Sequence, residues 1–362
     1  MADLQIFKSF SVRSQIRETY DVFFVHDITD LLEKLASNQS NIFIIDIHVA
    51  QIFKNELAHI LHECKNVVIE VDEHHKTMDY AQYIIRKLIQ IDVRKDSTLV
   101  AIGGGITQDL VTFIASIFSR GIDWKFVPTT LLSQCDSCIG SKSSINFDQY
   151  KNLVGTFNPP SEIFICPSFL ETLTKEEIRS GIGEMLHYFF TEGIDIAQKV
   201  SDSFEELLTD RSLLPYFISK SLRIKKVIIE QDEFDKSIRH IFNYGHTFGH
   251  AIEAITKYSI PHGQAISIGM DLANYISLQK KKLSENDFAE MHAILIKNIP
   301  RFRITIDTID EYCLALSKDK KNKGEMLGCI LSHGPGKVEK IFIKMDQSLK
   351  DIILDYFNTF QN

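Results

Sequence analysis

His246-Thr247-Phe248-Gly249-His250 places two imidazoles at i and i+4 on one helical face, a spacing that lets both rings grip one ion. A third imidazole, His262, follows in Ile260-Pro261-His262-Gly263. Glu184 and His187 stand at i and i+3 on an earlier helical stretch and are available to complete a metal site. A single histidine is ordinarily a surface or core residue, but three so close together, two on one face, favour a metal. A zinc protease needs glutamate directly after the first histidine, and Thr247 holds that place, which excludes that class.

A second chemistry is written in Gly103-Gly104-Gly105, set between an apolar strand and a helical stretch. Glycines there let main-chain N–H groups approach a phosphate, and the helix N-terminus adds partial positive charge, so a dinucleotide pyrophosphate fits. The run is not the strict GxGxxG pattern, and a plain tight turn is the competing reading. Thr129 and Thr130, ending the next strand, bring hydroxyls to the same sheet edge. Arg120, Lys142, Lys151, Asn152, Lys225, Arg239 and Asn243 supply cations and amides suited to a phosphate or carboxylate. Cys135-Asp136-Ser137-Cys138 has CxxC spacing but no second pair, so it reads as two small residues near a buried strand end. Residue types and spacing stop at a metal- and dinucleotide-dependent enzyme acting on an anionic small molecule.

The elements that must position these residues change character along the chain. Asn41–Asp46, Val67–Asp72, Ser97–Ile102 and Trp124–Val127 read as buried strands, with helices over His75–Ile91 and Thr107–Phe118. This alternation implies a parallel sheet with helices on both faces. After Pro159-Pro160 helical periodicity takes over, opened by a capping box at Thr174-Lys175-Glu176-Glu177, and strand signals almost vanish until about residue 326. The expected organisation is an α/β Rossmann-like domain over 1–168 and an all-α domain over 169–362. The chain has 362 residues, with 40 Lys plus Arg against 48 Asp plus Glu. The resulting net charge of −8, without a basic stripe, argues against a nucleic-acid binder. No apolar run is long enough to span a bilayer. Six cysteines and an N-terminus without a signal peptide's apolar core fit a cytoplasmic protein with reduced thiols.

Read in order, Ile102–Asp109, Arg120-Gly121, Val127–Leu132, Asp136-Ser137, Lys142, Lys151–Gly155, Ser180–Glu184, Asp232-Glu233, Arg239, Asn243–His250 and His262-Gly263 resemble the 3-dehydroquinate synthase and wider sugar phosphate cyclase family. The resemblance spans roughly residues 70 to 340 and leaves the first 65 or so largely uncovered. It implies a homodimer in which an N-terminal α/β domain binds NAD and a C-terminal helical domain binds a divalent metal, zinc or else cobalt. By position, Glu184, His246 and His262 resemble the metal ligands, and His250 the residue that handles a proton. Lys142, Asn152, Asn243 and Lys320 resemble phosphate contacts, and Arg120 one that reaches the neighbouring subunit's phosphate. Lys225 and Arg239 resemble the pair that holds a substrate carboxylate. Asp46, Glu73, Lys76, Gly104, Gly105, Asp109, Thr129, Thr130, Asp136 and Lys151 resemble the NAD contacts.

In such enzymes NAD transiently oxidises a ring alcohol, which acidifies the neighbouring C–H, and the metal polarises the oxygen. Phosphate leaves, the ketone is reduced back, and an intramolecular aldol step closes the carbocycle. The implied substrate is 3-deoxy-D-arabino-heptulosonate 7-phosphate, on the shikimate route to aromatic amino acids. Two departures stand out. Gln108 occupies a position that is usually glycine, which predicts a reshaped pyrophosphate loop, and His187 replaces a substrate-contacting lysine. Ser141 and Ser143 also flank Lys142 where Gly and Thr are usual. The alternatives kept open are a sibling cyclase using sedoheptulose 7-phosphate or glucose 6-phosphate, a metal-dependent polyol dehydrogenase, and a non-catalytic homologue.

Overall fold

The apolar runs of the first half become neighbouring parallel strands. In the computed structural model, which describes residues 8–148, 150–318 and 322–360, the strands of this half are β1 (Phe10–Ser14), β2 (Glu18–Phe24), β3 (Asn41–Asp46), β4 (Asn66–Ile69), β5 (Thr98–Gly103), β6 (Asp123–Pro128), β7 (Ile145–Phe147), β8 (Tyr150–Val154) and β9 (Glu162–Ile165). Among the described residues, seven of them form one sheet in the order β1-β2-β9-β6-β5-β3-β4. β1 runs antiparallel to β2, and every other pairing in the sheet is parallel. β7 and β8 pair separately as a hairpin.

Parallel strands are covered on both faces, so they read as continuous apolar runs rather than alternating ones. That is why Asn41–Asp46 and Thr98–Gly103 were visible in sequence: five of six residues in each are buried. Phe43, Ile45, Val100, Ile102, Val127 and Phe164 share a core with Leu31, Leu32, Leu35 and Ile60. The Gly105–Ile117 helix packs against β3, β5 and β6. β3 has β4 on one side and β5 on the other, so the winding reverses between β3 and β5. In open α/β sheets the crevice at such a reversal, beyond the carboxyl ends of the strands, is where ligands bind.

The chain divides into two compact units, one of Met1–Leu173 with Leu213–Asp235 and one of Thr174–Ser212 with Lys236–Asn362. The second unit opens with the capping box: Thr174 Oγ1 accepts from Glu177 N, and Glu177 Oε2 accepts from Thr174 N at 2.8 Å. The Lys175–Glu192 and His246–Ile255 helices pack against the His262–Gln279 helix. That last helix is buried without a break from Gly263 to Ser277, which marks it as the unit's central element. An antiparallel hairpin, β10 (Met326–Ser332) with β11 (Val338–Lys344), and the terminal Gln347–Phe360 helix complete the unit.

Glycine decides how closely these helices approach. A Cβ on Gly183 would lie 1.9 Å from the Gly263 carbonyl oxygen, and one on Gly263 would lie 1.8 Å from that of Ser180. A Cβ on Gly269 would likewise meet the Gly245 carbonyl oxygen at 2.1 Å. Any side chain at these positions forces the backbones apart. Gly183 and Gly263 directly adjoin Glu184 and His262, so the close crossing sets the spacing of the proposed ligands.

Candidate functional site

Glu184 is 1% exposed in the second unit. Its Oε1 lies 2.9 Å from His262 Nε2 and 3.6 Å from His246 Nε2. Neither approach has hydrogen-bond alignment, and Oε1 is a buried oxygen without a hydrogen-bond partner among the described residues. Such an atom is costly unless something satisfies it. The opposite nitrogens of both rings are engaged elsewhere: His246 Nδ1 lies 3.1 Å from the Tyr244 carbonyl oxygen, and His262 Nδ1 3.1 Å from Glu253 Oε1. An Nδ1–H donated to these oxygens leaves each Nε2 lone pair facing Glu184, the arrangement that metal-ligating histidines use.

His250 completes the group. Its ring centroid stands 5.3 Å from that of His246 and 5.7 Å from that of His262, and a coordinating atom from each of the three rings fits within 4.8 Å of the others. Electrostatics agree with the geometry. Burial alone would raise the Glu184 pKa, but the field of His246 and the close contacts of His187 and His262 hold it well below the usual carboxylate range. Burial would lower His262, but Glu184 and Glu253 raise it well above the usual imidazole value. Both directions reflect the same pairing of buried carboxylate with imidazole, in which the carboxylate favours positive charge beside it. A divalent ion meets the same demand, so these residues fit a metal.

In the first unit Asp46, Gly104, Gly105, Thr129 and Thr130, five of the expected dinucleotide contacts, lie at or just beyond the carboxyl ends of β3, β5 and β6. Asp46 closes β3 and accepts from His48 N at 2.9 Å. Gly104 is the N-cap of the Gly105–Ile117 helix without any side-chain cap, which leaves the helix's first N–H groups available to an anion. Thr129 N donates to the Gly103 carbonyl oxygen at 3.0 Å, and the Thr130 hydroxyl sits 2.8 Å from that of Ser133. Lys76, nearly buried, joins Asp109 at 2.6 Å and Asn152 at 2.8 Å, and Lys151 pairs with Glu73 at 3.1 Å. An uncapped helix start at the winding reversal, with the Thr130 and Ser137 side chains beside Gly104 and Gly105, fits a dinucleotide.

Several expected residues are already engaged by neighbours. Lys142 pairs with Asp235 at 2.5 Å, and Lys225 donates to Asp136 Oδ1 and to its carbonyl oxygen, both at 2.8 Å. These pairs lie within the first unit, whereas Arg239 and Asn243 occupy the Ile238–Asn243 turn of the second. Arg120 is exposed at the end of the Phe118–Arg120 turn. Lys320 lies outside the described residues. Gln108 is buried in the first turn of its helix and engages Ser137 through both amide atoms, at 2.7 and 2.6 Å. The Gly103–Gly105 turn lies between β5 and this helix, with Gln108 tied to Ser137 behind it. Cys135 and Cys138 are buried and in no disulfide, and burial pushes the Cys138 thiol up to about 12. Sequence reasoning missed Glu253 and Asp235. Glu253 carried a signal, since it lies seven residues after His246 on the same helical face.

The architecture is shared with solved sugar phosphate cyclases. It matches a 2-deoxy-scyllo-inosose synthase complexed with carbaglucose-6-phosphate, NAD+ and Co2+ (TM-score 0.85, 24% identity), covering 96% of this chain and 100% of that one. It also matches the 2-epi-5-epi-valiolone synthase ValA from Streptomyces hygroscopicus subsp. jinggangensis 5008 with NAD+ and Zn2+ bound (TM-score 0.82, 23% identity, 96% and 99% covered). The fold is thus a Rossmann-like α/β part followed by a helical part of the dehydroquinate synthase type. Residues 66–180 match the N-terminal domain of 3-dehydroquinate synthase and residues 181–322 its C-terminal domain. The 3-dehydroquinate synthase of Thermoanaerobacter sp. (strain X514) is 33% identical over 346 residues, which is 92% of this chain and 96% of that one. The chain belongs to the 3-dehydroquinate synthase family. No helix among the described residues is long and apolar enough to cross a membrane.

Proposed function

We propose that this protein is a phosphate-eliminating, carbocycle-forming cyclase that converts 3-deoxy-D-arabino-heptulosonate 7-phosphate to 3-dehydroquinate, with NAD and zinc as cofactors, working as a cytoplasmic homodimer. The observation that carries this reading is the unpartnered Glu184 oxygen facing two imidazoles whose far nitrogens are held by Tyr244 and Glu253. Family membership and the uncapped helix start beyond β5 support the rest.

In this reading Glu184, His246 and His262 would hold the ion, with His250 beside it to move a proton. When bound, the ion polarises a substrate oxygen and NAD takes and returns a hydride, so no net redox change results. The chain's own work is positioning and charge. Lys142, Asn152, Asn243, Lys320 and Arg120 receive the phosphate, and Lys225 and Arg239 the carboxylate. Lys142 and Lys225 exchange Asp235 and Asp136 for substrate anions, so each cation is held in place before substrate arrives. A sibling cyclase is the second reading, favoured by one residue, because His187 stands where a lysine is usual.

The test is to supply the purified chain with zinc, NAD and each candidate sugar phosphate while following liberated phosphate and absorbance from NADH. Phosphate release from the seven-carbon sugar acid without NADH accumulation is expected. Release only from a neutral sugar phosphate assigns the sibling reaction, and accumulating NADH assigns a dehydrogenase. Glu184→Ala, His246→Ala and His262→Ala are each expected to abolish turnover together with zinc retention. Variants that keep both would refute the ligand assignment.

A further inference from the structure

The Lys175–Glu192 helix carries a second buried polar residue one turn after Glu184. His187 is 1% exposed, and its ring is enclosed by Tyr188, His246 and Phe242 at centroid distances of 3.9, 5.2 and 5.9 Å. Its Nδ1 lies 3.1 Å from Glu184 Oε2, a hydrogen-bond length without hydrogen-bond alignment. Both ring nitrogens are buried and have no hydrogen-bond partner among the described residues. The two oxygens of Glu184 therefore face different neighbours: Oε1 looks towards the His246 and His262 Nε2 atoms, and Oε2 towards His187.

We propose that His187 is a positioning residue for the metal-binding carboxylate, donating from Nδ1 to Glu184 Oε2 so that only Oε1 is presented to the ion. The proposal rests on the assignment of Glu184, His246 and His262 as ligands. A carboxylate free to rotate offers either oxygen or both, and a donor turned onto the outer oxygen removes that freedom. A lysine ammonium at the same place would bring a fixed positive charge beside a divalent cation. Enclosed by three rings, His187 faces Glu184 from one turn further along the same helix.

The test measures metal binding rather than turnover. Apoprotein is titrated with Co2+ against a competing chelator, and the visible cobalt spectrum is recorded for the wild type, His187→Leu and His187→Asn. Leucine fills the space without a donor, whereas asparagine restores an N–H donor. His187→Leu is expected to weaken cobalt binding by about ten- to a hundredfold and to shift the visible band. His187→Asn is expected to recover most of the affinity. Apoprotein melting temperatures check that the variants fold, and if His187→Leu does not, His187→Met, which also lacks a donor, takes its place in the comparison with His187→Asn. Cobalt binding by His187→Leu within twofold of wild type, with an unchanged spectrum, overturns the proposal. Equal losses in the two variants also overturn it, since packing alone then accounts for the effect. A wild type that binds no cobalt refutes the ligand assignment itself.

Discussion

At the scale of single residues, spacing found the imidazoles but not their division of labour. His246 and His250 are equivalent on a helical wheel, and His262 arrives from a different segment. What separates His246 from His262 is the partner of each Nδ1: the Tyr244 carbonyl carries no signal in sequence, and Glu253 only its place seven residues after His246. Glu253 fixes the His262 tautomer by accepting from Nδ1, and a carboxylate in that role strengthens the ring as a ligand. Glu253→Ala is therefore expected to weaken zinc affinity by about ten- to a hundredfold while the fold persists. Glu253→Gln, which still accepts a hydrogen bond, recovers part of the loss. Chelator competition on the two variants checks this, and zinc affinity unchanged in Glu253→Ala would remove the tautomer argument.

At the scale of elements, the buried parallel strands were legible because burial on both faces leaves an unbroken apolar run, as in Asn41–Asp46. The β7–β8 hairpin was not, since Tyr150–Val154 is largely exposed and carries no apolar rhythm to read. One helix start drifted by three residues where a cap outranked periodicity. Thr77 caps the helix at Met78 by accepting from Tyr80 N, so His75 and Lys76 fall in the turn before it. The packing of the helices that carry Glu184, His246 and His262 was hidden for a different reason: glycines read as flexibility in sequence but act here by permitting contact. Gly183→Ala places a methyl 1.9 Å from the Gly263 carbonyl oxygen, so the two backbones must separate. Overpacking of this kind costs about 1–3 kcal/mol, and the displaced helix carries Glu184 with it. The expected result is a lower melting temperature together with weaker metal binding, read by calorimetry and chelator competition on the same sample. A variant as stable and as tight as wild type would mean that the crossing distance does not set the ligand spacing.

At the scale of the whole molecule, the sequence suggested one change of character after residue 168, and the chain instead returns to its first unit over Leu213–Asp235. The Leu214–Ile229 helix looks like any other amphipathic helix, and the surface its apolar face meets is a tertiary fact with no local signature. Its buried Lys225, bonded to Asp136, ties it to that unit. Global stability holds a comparable hidden term away from the ligand cluster. Asp271 is fully buried on the central His262–Gln279 helix, and its Oδ2 accepts from the Tyr356 hydroxyl and lies 2.8 Å from His292 Nδ1. Burial would lower the His292 pKa, but the Asp271 carboxylate more than offsets this and raises it above the ordinary histidine value. A histidine raised in the folded state stabilises most fully below its unfolded pKa of about 6.5, and the contribution is lost as pH climbs through the higher folded value. The wild type is accordingly expected to melt well above His292→Asn near pH 5.5, and the gap to narrow by about pH 9, with the metal state held the same throughout. Melting curves across that range decide the matter. A gap that stays constant, or widens towards alkaline pH, would show that His292 contributes through packing against Phe288 and Phe360 rather than through its charge on Asp271.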